Sequence, residues 1–240
     1  LKTKKIYKEI LELKNTISSY ENNSYANLKN KVENLTNMYS MFHETYPVIS
    51  SETIESINSS NINDIESELK NIEKDLNNID NLDTEYLKIK MEASYLAGRY
   101  YISMGEYEKG VHNIQISIKL AHKLDNFIFL LNNFKQMIYY AIQTEKNDIM
   151  AEYINNCLNL LDKRDILEER GIILRLKGLY LIKTEKYDEA AMVLNDSINI
   201  FSSLNKFSSK YSVNISASYN YLGQMNLDLG KNKEAYDCFM

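Results

Sequence analysis

An all-α fold is expected of this chain: a helical N-terminal module followed by an α-solenoid of helix-turn-helix repeats about 40 residues long. Three observations predict it. Only seven Gly and one Pro occur in 240 residues, far below the usual ~7% and ~5%, which argues against a fold of many short strands and tight turns. Apolar residues recur at alternating spacings of three and four, the signature of one helix face. From Gly98 onward, small residues return twelve positions apart, starting at Gly98, Gly178 and Gly223, and an apolar repeat at Ile138 falls halfway between the first two. A composition of 44% hydrophobic, 25% charged and 11% aromatic residues suits a folded chain of one large or two small domains.

The first 97 residues hold no Gly. There, Ile6, Ile10, Leu13 and Ile17, then Tyr25, Leu28, Val32, Leu35, Tyr39 and Phe42, then Ile65, Leu69, Ile72, Leu76 and Ile79 trace three amphipathic helices with narrow apolar seams. Ser24 is placed to N-cap the second, after the break Glu21-Asn22-Asn23-Ser24. Pro47 and a run of Ser, Asn and Thr form a loop before the third. Such seams are buried either in a coiled-coil homodimer or in an intramolecular hairpin packed on the rest of the chain. No seam exceeds about three heptads, which favours the hairpin. Residues 1–80 are thus expected as an N-terminal module, and 81–240 as repeats over about 85–125, 126–165, 166–210 and 211–240, the last incomplete.

In the repeats, Gly98-Arg-Tyr-Tyr-Ile-Ser-Met-Gly-Glu-Tyr-Glu-Lys-Gly110 aligns with Gly178 through Ala190 and with Gly223 through Ala235. Two antiparallel helices joined by a tight turn approach closely only where small residues face each other. The rows Gly98/Gly110 and Gly178/Ala190 should therefore be the closest contacts of their pairs. Ser94, Ala97, Tyr101, Ile114, Ser117 and Ile118 complete the first core; Leu174, Leu181, Leu194, Ser197 and Ile198 its later counterpart. A pair set halfway places Phe134, Met137, Ile138, Ala141, Met150, Ile154, Cys157 and Leu158 at the same positions, with Ala151 an alternative register for Met150. The last repeat supplies Tyr219, Leu222, Gly223, Ala235 and Phe239. Lys177 and Asn226 depart from the apolar pattern.

This pattern resembles the tetratricopeptide repeat, with small residues at its eighth and twentieth positions and a Gly-x-Tyr turn between. The spacing from Gly98 to Ile138 to Gly178 is 40 each time and to Gly223 is 45, against the usual 34, so each helix pair is about one or two turns longer than standard. Long repeats with endings such as Ile118-Lys-Leu-Ala-His-Lys-Leu-Asp125 resemble the sensor regions of bacterial MalT-like and SARP-type transcription regulators. The resemblance covers roughly residues 85–240. It implies a right-handed superhelix whose concave wall is built from the first helix of each pair. Carried over to this chain, the inward positions fall on Glu92, Tyr95 and Arg99; Asn132, Lys135, Tyr139 and Gln143; Arg175, Leu179 and Lys183; and Asn220 and Gln224. Such a wall suits an extended peptide, since Asn and Gln can pair with backbone amides and Lys or Arg with carboxylates. The carboxylate clamp of chaperone-binding repeats is not expected, because Tyr139 occupies one of its Asn positions.

Catalytic chemistry is not expected. No phosphate-binding glycine loop, nucleophile elbow or His-Glu-x-x-His is present. His112 and His122 lie about 80° apart round a helix and ~15 Å along it, too far to share a metal. Glu66, Glu68, Glu73 and Asp75 alternate with Lys70 and Lys74 and form a solvated face. No cofactor or metal is expected. With net charge −5 and no basic stripe, this segment should not contact nucleic acid. No apolar run approaches the ~18 residues of a membrane span. Cys157 and Cys238, 81 residues apart, suggest neither a disulfide framework nor a zinc site, and suit a reducing cytoplasm. The abundance of Asn, Ile, Lys and Tyr points to an AT-rich bacterial genome.

A start without Met and an end inside a helical pattern suggest a piece of a longer polypeptide. The function expected from the resemblance is therefore the sensor domain of a cytoplasmic bacterial transcription regulator that binds a peptide, effector or protein segment, its DNA-binding domain lying elsewhere. The competing expectations are a peptide sensor similar to the Rap and PlcR group, and a general repeat scaffold.

Overall fold

The computed structural model describes residues 26–37, 59–77, 83–162, 164–206 and 209–240, and the described residues are helical with short connections. In chain order the helices are α1 over 26–37, α2 (Ser59–Asn77), α3 (Thr84–Ser103), α4 (Tyr107–Lys123) and α5 (Phe127–Gln143). They continue as α6 (Asn147–Leu161), α7 (Leu167–Lys183), α8 (Tyr187–Asn205), α9 (Ser212–Asp228) and α10 (Asn232–Phe239). The fold is an α-solenoid of helical pairs. The chain forms two compact units, residues 1–129 and 130–240.

In the first unit, the seam residues Leu28, Val32 and Leu35 of α1 and Ile65, Leu69, Ile72 and Leu76 of α2 share one core with Tyr86, Leu87, Ile89, Ala93, Leu96 and Tyr100 of α3. Burying each such side chain contributes on the order of 1.5–3 kcal/mol, so both seams are used inside the unit. Lys31 Nζ lies 2.6 Å from Asp75 Oδ2 and ties α1 to α2. The Tyr86 hydroxyl donates to the Leu76 carbonyl at 3.2 Å, holding the end of α2 at the start of α3. Asp83 caps α3 by accepting the Tyr86 N–H at 2.9 Å. The helix expected around Ile6 to Ile17, the Ser24 cap, the Pro47 loop, and Tyr25, Tyr39, Phe42 and Ile79 lie outside the described residues.

The small-residue rows set the approach of each pair. A Cβ added to Gly110 would stand 2.9 Å from the Ile102 backbone nitrogen and 3.1 Å from the Gly98 carbonyl oxygen. One added to Gly98 would meet the Ile114 side chain at 2.6 Å and its nitrogen at 3.0 Å. In the second unit, a Cβ on Gly178 would meet the Leu194 side chain at 2.5 Å, and Ala190 of α8 is fully buried. Met150 is also fully buried and Ala151 only partly, so the register runs through Met150. Two residues expected in the core are instead open: Tyr219 is 40% exposed and Phe239, whose ring lies under Gly223, is 49% exposed. They sit on the α9–α10 pair, in which α9 packs on α8.

A single turn recurs between helices. The residue after the C-cap is left-handed at Gly105 (φ 79°), Asp125 (48°), Glu145 (55°), Glu185 (61°) and Gly230 (70°). The next N–H reaches back five residues: Glu106 to the Tyr101 carbonyl, Asn126 to Ala121, Lys146 to Ala141, Lys186 to Leu181 and Lys231 to Asn226, all at 2.8 to 2.9 Å. This is the Schellman closure, which satisfies carbonyls that a helix end leaves open. A second recurring device is a buried serine. Ser117 Oγ donates to the Met91 carbonyl at 3.0 Å and Ser197 Oγ to the Gly171 carbonyl at 2.8 Å, each 26 residues back on the partner helix. Cys157 holds the same register, and burial pushes its thiol up to about 12. The longer spacing to Gly223 is taken up by the turn Ser209–Tyr211. There Tyr211 stacks on Phe201 with ring centroids 6.0 Å apart and donates to Glu168 Oε2 at 3.0 Å.

Candidate functional site

A helix of 3.6 residues per turn puts positions i, i+3 and i+7 on one face, and Glu92, Tyr95 and Arg99 occupy that face of α3. In the first unit this face borders an open pocket of about 480 Å3, completed by Leu96, by Glu33, Thr36 and Asn37 of α1, and by Phe129 of α5. The Arg99 guanidinium lies 5.4 Å over the Tyr95 ring, a cation–π contact. Phe129 meets Tyr95 edge to face at 5.5 Å and 81°. Burial holds the Glu92 carboxyl above the usual carboxylate range, and Glu85 and Glu33 push it the same way while Lys29 and Lys88 oppose it.

The second unit arranges its candidates differently. Lys135 Nζ donates to both oxygens of Glu169 at 2.9 and 2.8 Å, and the two side chains are only 15% and 25% exposed. The ammonium expected to meet a ligand carboxylate thus already has one within the unit. Asn132 and Arg175 are half-buried, whereas Tyr139, Gln143 and Lys183 are exposed. On α9, Asn220 and Gln224 are exposed, and Gln224 Nε2 donates to Asp228 Oδ1 at 3.1 Å. The sequence-predicted residues therefore fall into one walled pocket in the first unit and a dispersed polar surface in the second.

Sequence reasoning missed Glu33, Thr36, Asn37, Phe129 and Glu169. The α1 seam identified which side of that helix is buried, but nothing in the sequence says that its polar residues 33, 36 and 37 face α3. Phe129 reads as one more apolar residue of α5, and Glu169 as an ordinary acidic residue in the first turn of α7.

Comparison with known proteins adds a family. The family described as 26S proteasome subunit RPN7 matches residues 52–238. Among solved structures, BtubC (BKLC) from P. vanneervenii is similar with a TM-score of 0.64 and 14% sequence identity, over 90% of this chain and 86% of that one. At that identity the likeness is one of fold. No curated protein matches the sequence significantly. The match over 52–238 overturns the expected sensor domain of a bacterial transcription regulator, and with it the bacterial assignment and the peptide-sensor variant. The physical reason is plain in the contacts above. The motif from Gly98 to Gly110 encodes the close packing of a helical pair, which any helical-repeat family needs, so it identifies the architecture and not the regulator. Among the described residues, no helix is long and apolar enough to cross a membrane.

Proposed function

The chain belongs to the family described as 26S proteasome subunit RPN7, and from that premise we propose that it is a non-catalytic subunit that binds protein partners within a proteasome-type assembly. The observation that carries this reading is the extent of the match, residues 52–238, which takes in α2 to α10 nearly whole. The helical pairs within each unit support it, since they present polar helix faces to solvent.

The contact surface we assign to partners comprises Glu92, Tyr95 and Arg99 in the first unit and Asn132, Lys135, Tyr139, Gln143, Arg175, Lys183, Asn220 and Gln224 in the second. The division of the chain at residues 80/81 into a module and a repeat array belongs to the same proposal. So does a cytoplasmic location, with which the two free thiols Cys157 and Cys238 agree. The test is to express the tagged chain in its source cells and size the complexes that carry it. Co-elution with other proteasome-type subunits in a large assembly is the expected result; a chain found only as a free monomer would refute it.

A further inference from the structure

The pocket of the first unit carries two carboxylates beside an aromatic pair. Glu33 on α1 and Glu92 on α3 both line it, and among the described residues neither carboxylate has a hydrogen bond or an ion pair. The rings of Tyr95 and Phe129, set edge to face at 5.5 Å, line the same pocket, with the Arg99 guanidinium 5.4 Å over the Tyr95 ring. Along α3, Glu92 and Arg99 are seven residues apart, or about 10 Å at 1.5 Å per residue. The pocket thus combines two carboxylates and one guanidinium with aromatic walls, and Arg99 lies on α3 two turns beyond Glu92.

We infer that this pocket receives a basic side chain, lysine or arginine, from a protein partner, its charged head between Glu33 and Glu92 and its aliphatic stem along Tyr95 and Phe129. The inference rests on the protein-binding reading above and names the chemistry of one contact within it. Long basic side chains combine an apolar stem with a cationic head, and aromatic walls with carboxylates beside them match both parts. A guanidinium or ammonium against ionised carboxylates makes charge-assisted hydrogen bonds, about twice as strong as neutral ones. Arg99 repels a second cation and so sets which way the incoming side chain points. The half-buried Glu92 carboxylate is charged at a cost in this site, and a bound cation offsets that cost.

The experiment titrates the intact, isotope-labelled chain with capped Gly-Arg-Gly, with the same peptide carrying uncharged citrulline, and with capped Gly-Glu-Gly, following backbone and side-chain resonances. The arginine peptide should shift Glu92, Tyr95 and Phe129 saturably and lower the titration point of Glu92. The citrulline peptide should bind about tenfold more weakly or worse. An E33Q/E92Q variant should lose binding to the same extent; the citrulline arm uses the native protein and so stands whatever the variant's stability. Equal binding of arginine and citrulline peptides, preference for the glutamate peptide, or shifts confined to other surfaces would overturn the inference. Assembly into the larger complex is read separately. A chain that joins the assembly yet ignores the arginine peptide refutes the pocket alone, while one that binds the peptide but joins no assembly refutes the functional reading.

Discussion

The α3–α4 and α7–α8 pairs lie 80 residues apart in sequence and are built to one plan, yet they reach it with different residues. Both close with the same left-handed turn, and both carry a serine that donates to a carbonyl on the partner helix. In α3–α4 the helices meet through Gly98 and Gly110, and what a Cβ on Gly110 would strike includes fixed backbone. In α7–α8 the second glycine is Ala190, and what a Cβ on Gly178 would strike is the Leu194 side chain. The left-handed turn position is Gly105 in one and Glu185 in the other. Glycine is indispensable where backbone faces backbone; where a side chain faces it, the side chain can give way. The conserved geometry is that of the pair, and the residue types are one of several ways to make it.

Five measurements would break or sharpen this comparison. The largest effect is expected in α5–α6, where Cys157 replaces the serine. Between its ordinary value of 9.0 and about 12 the unfolded chain sheds the thiol proton and the folded chain keeps it. Native stability should therefore be intact below pH 9 and fall as pH rises, by at most about 1.4 kcal/mol per unit. In urea melts Cys157→Ser should lack this alkaline component; a parallel decline in both proteins would place the cause elsewhere.

Next, Gly110→Ala should cost about 3 kcal/mol because backbone cannot move aside, whereas Gly178→Ala should cost about 1–2 kcal/mol as Leu194 changes rotamer. Thermal melts giving equal losses would mean that the pairs are equally tolerant and the distinction is wrong. Lys135→Ala strands the half-buried Glu169 and should cost about 2 kcal/mol, with Lys135→Met recovering less than half. No loss in the alanine variant would show that the ion pair is a surface contact of little consequence.

Smaller effects concern the shared devices. Ser117→Ala and Ser197→Ala should each cost about 1 kcal/mol, because each removes a buried hydrogen bond to a carbonyl of the partner helix. Chemical denaturation checks this, and no loss in either variant would show that the buried serines contribute nothing to the pairs. Smallest of all, Glu185→Gly should stabilise the protein by about 0.5–1 kcal/mol because glycine adopts a positive φ without strain, while Gly105→Ala should destabilise by a similar amount. Calorimetric melts with both changes in the same direction would rule out turn strain as the cause.

Much of the repeat geometry was legible. The three-and-four spacing marked the buried faces, and the 40-residue recurrence of Gly98, Ile138 and Gly178 placed the helical pairs in register, because close helix packing admits only certain residue sizes. The buried Met150 shows the edge of that legibility: its position was expected to hold a small residue, and only packing around it decides that a flexible thioether fits. The pocket was half legible. Glu92, Tyr95 and Arg99 follow from the inward positions that the repeat resemblance implies, while Glu33, Asn37 and Phe129 come from segments whose placement no local pattern states.

What the sequence by itself determined is local: helix formation, the seams, the turns between helices and the small-residue rows, all set by interactions within a few residues or between adjacent helices. What only the tertiary structure decided is long-range: that the α1 and α2 seams are buried against α3, that Lys135 meets Glu169 34 residues away, and that Glu33 comes to the same pocket as Glu92. The physical reason is that apolar burial is non-directional. It tells a seam to hide but not where, and the polar groups carried along with it acquire their partners only when the cores have packed.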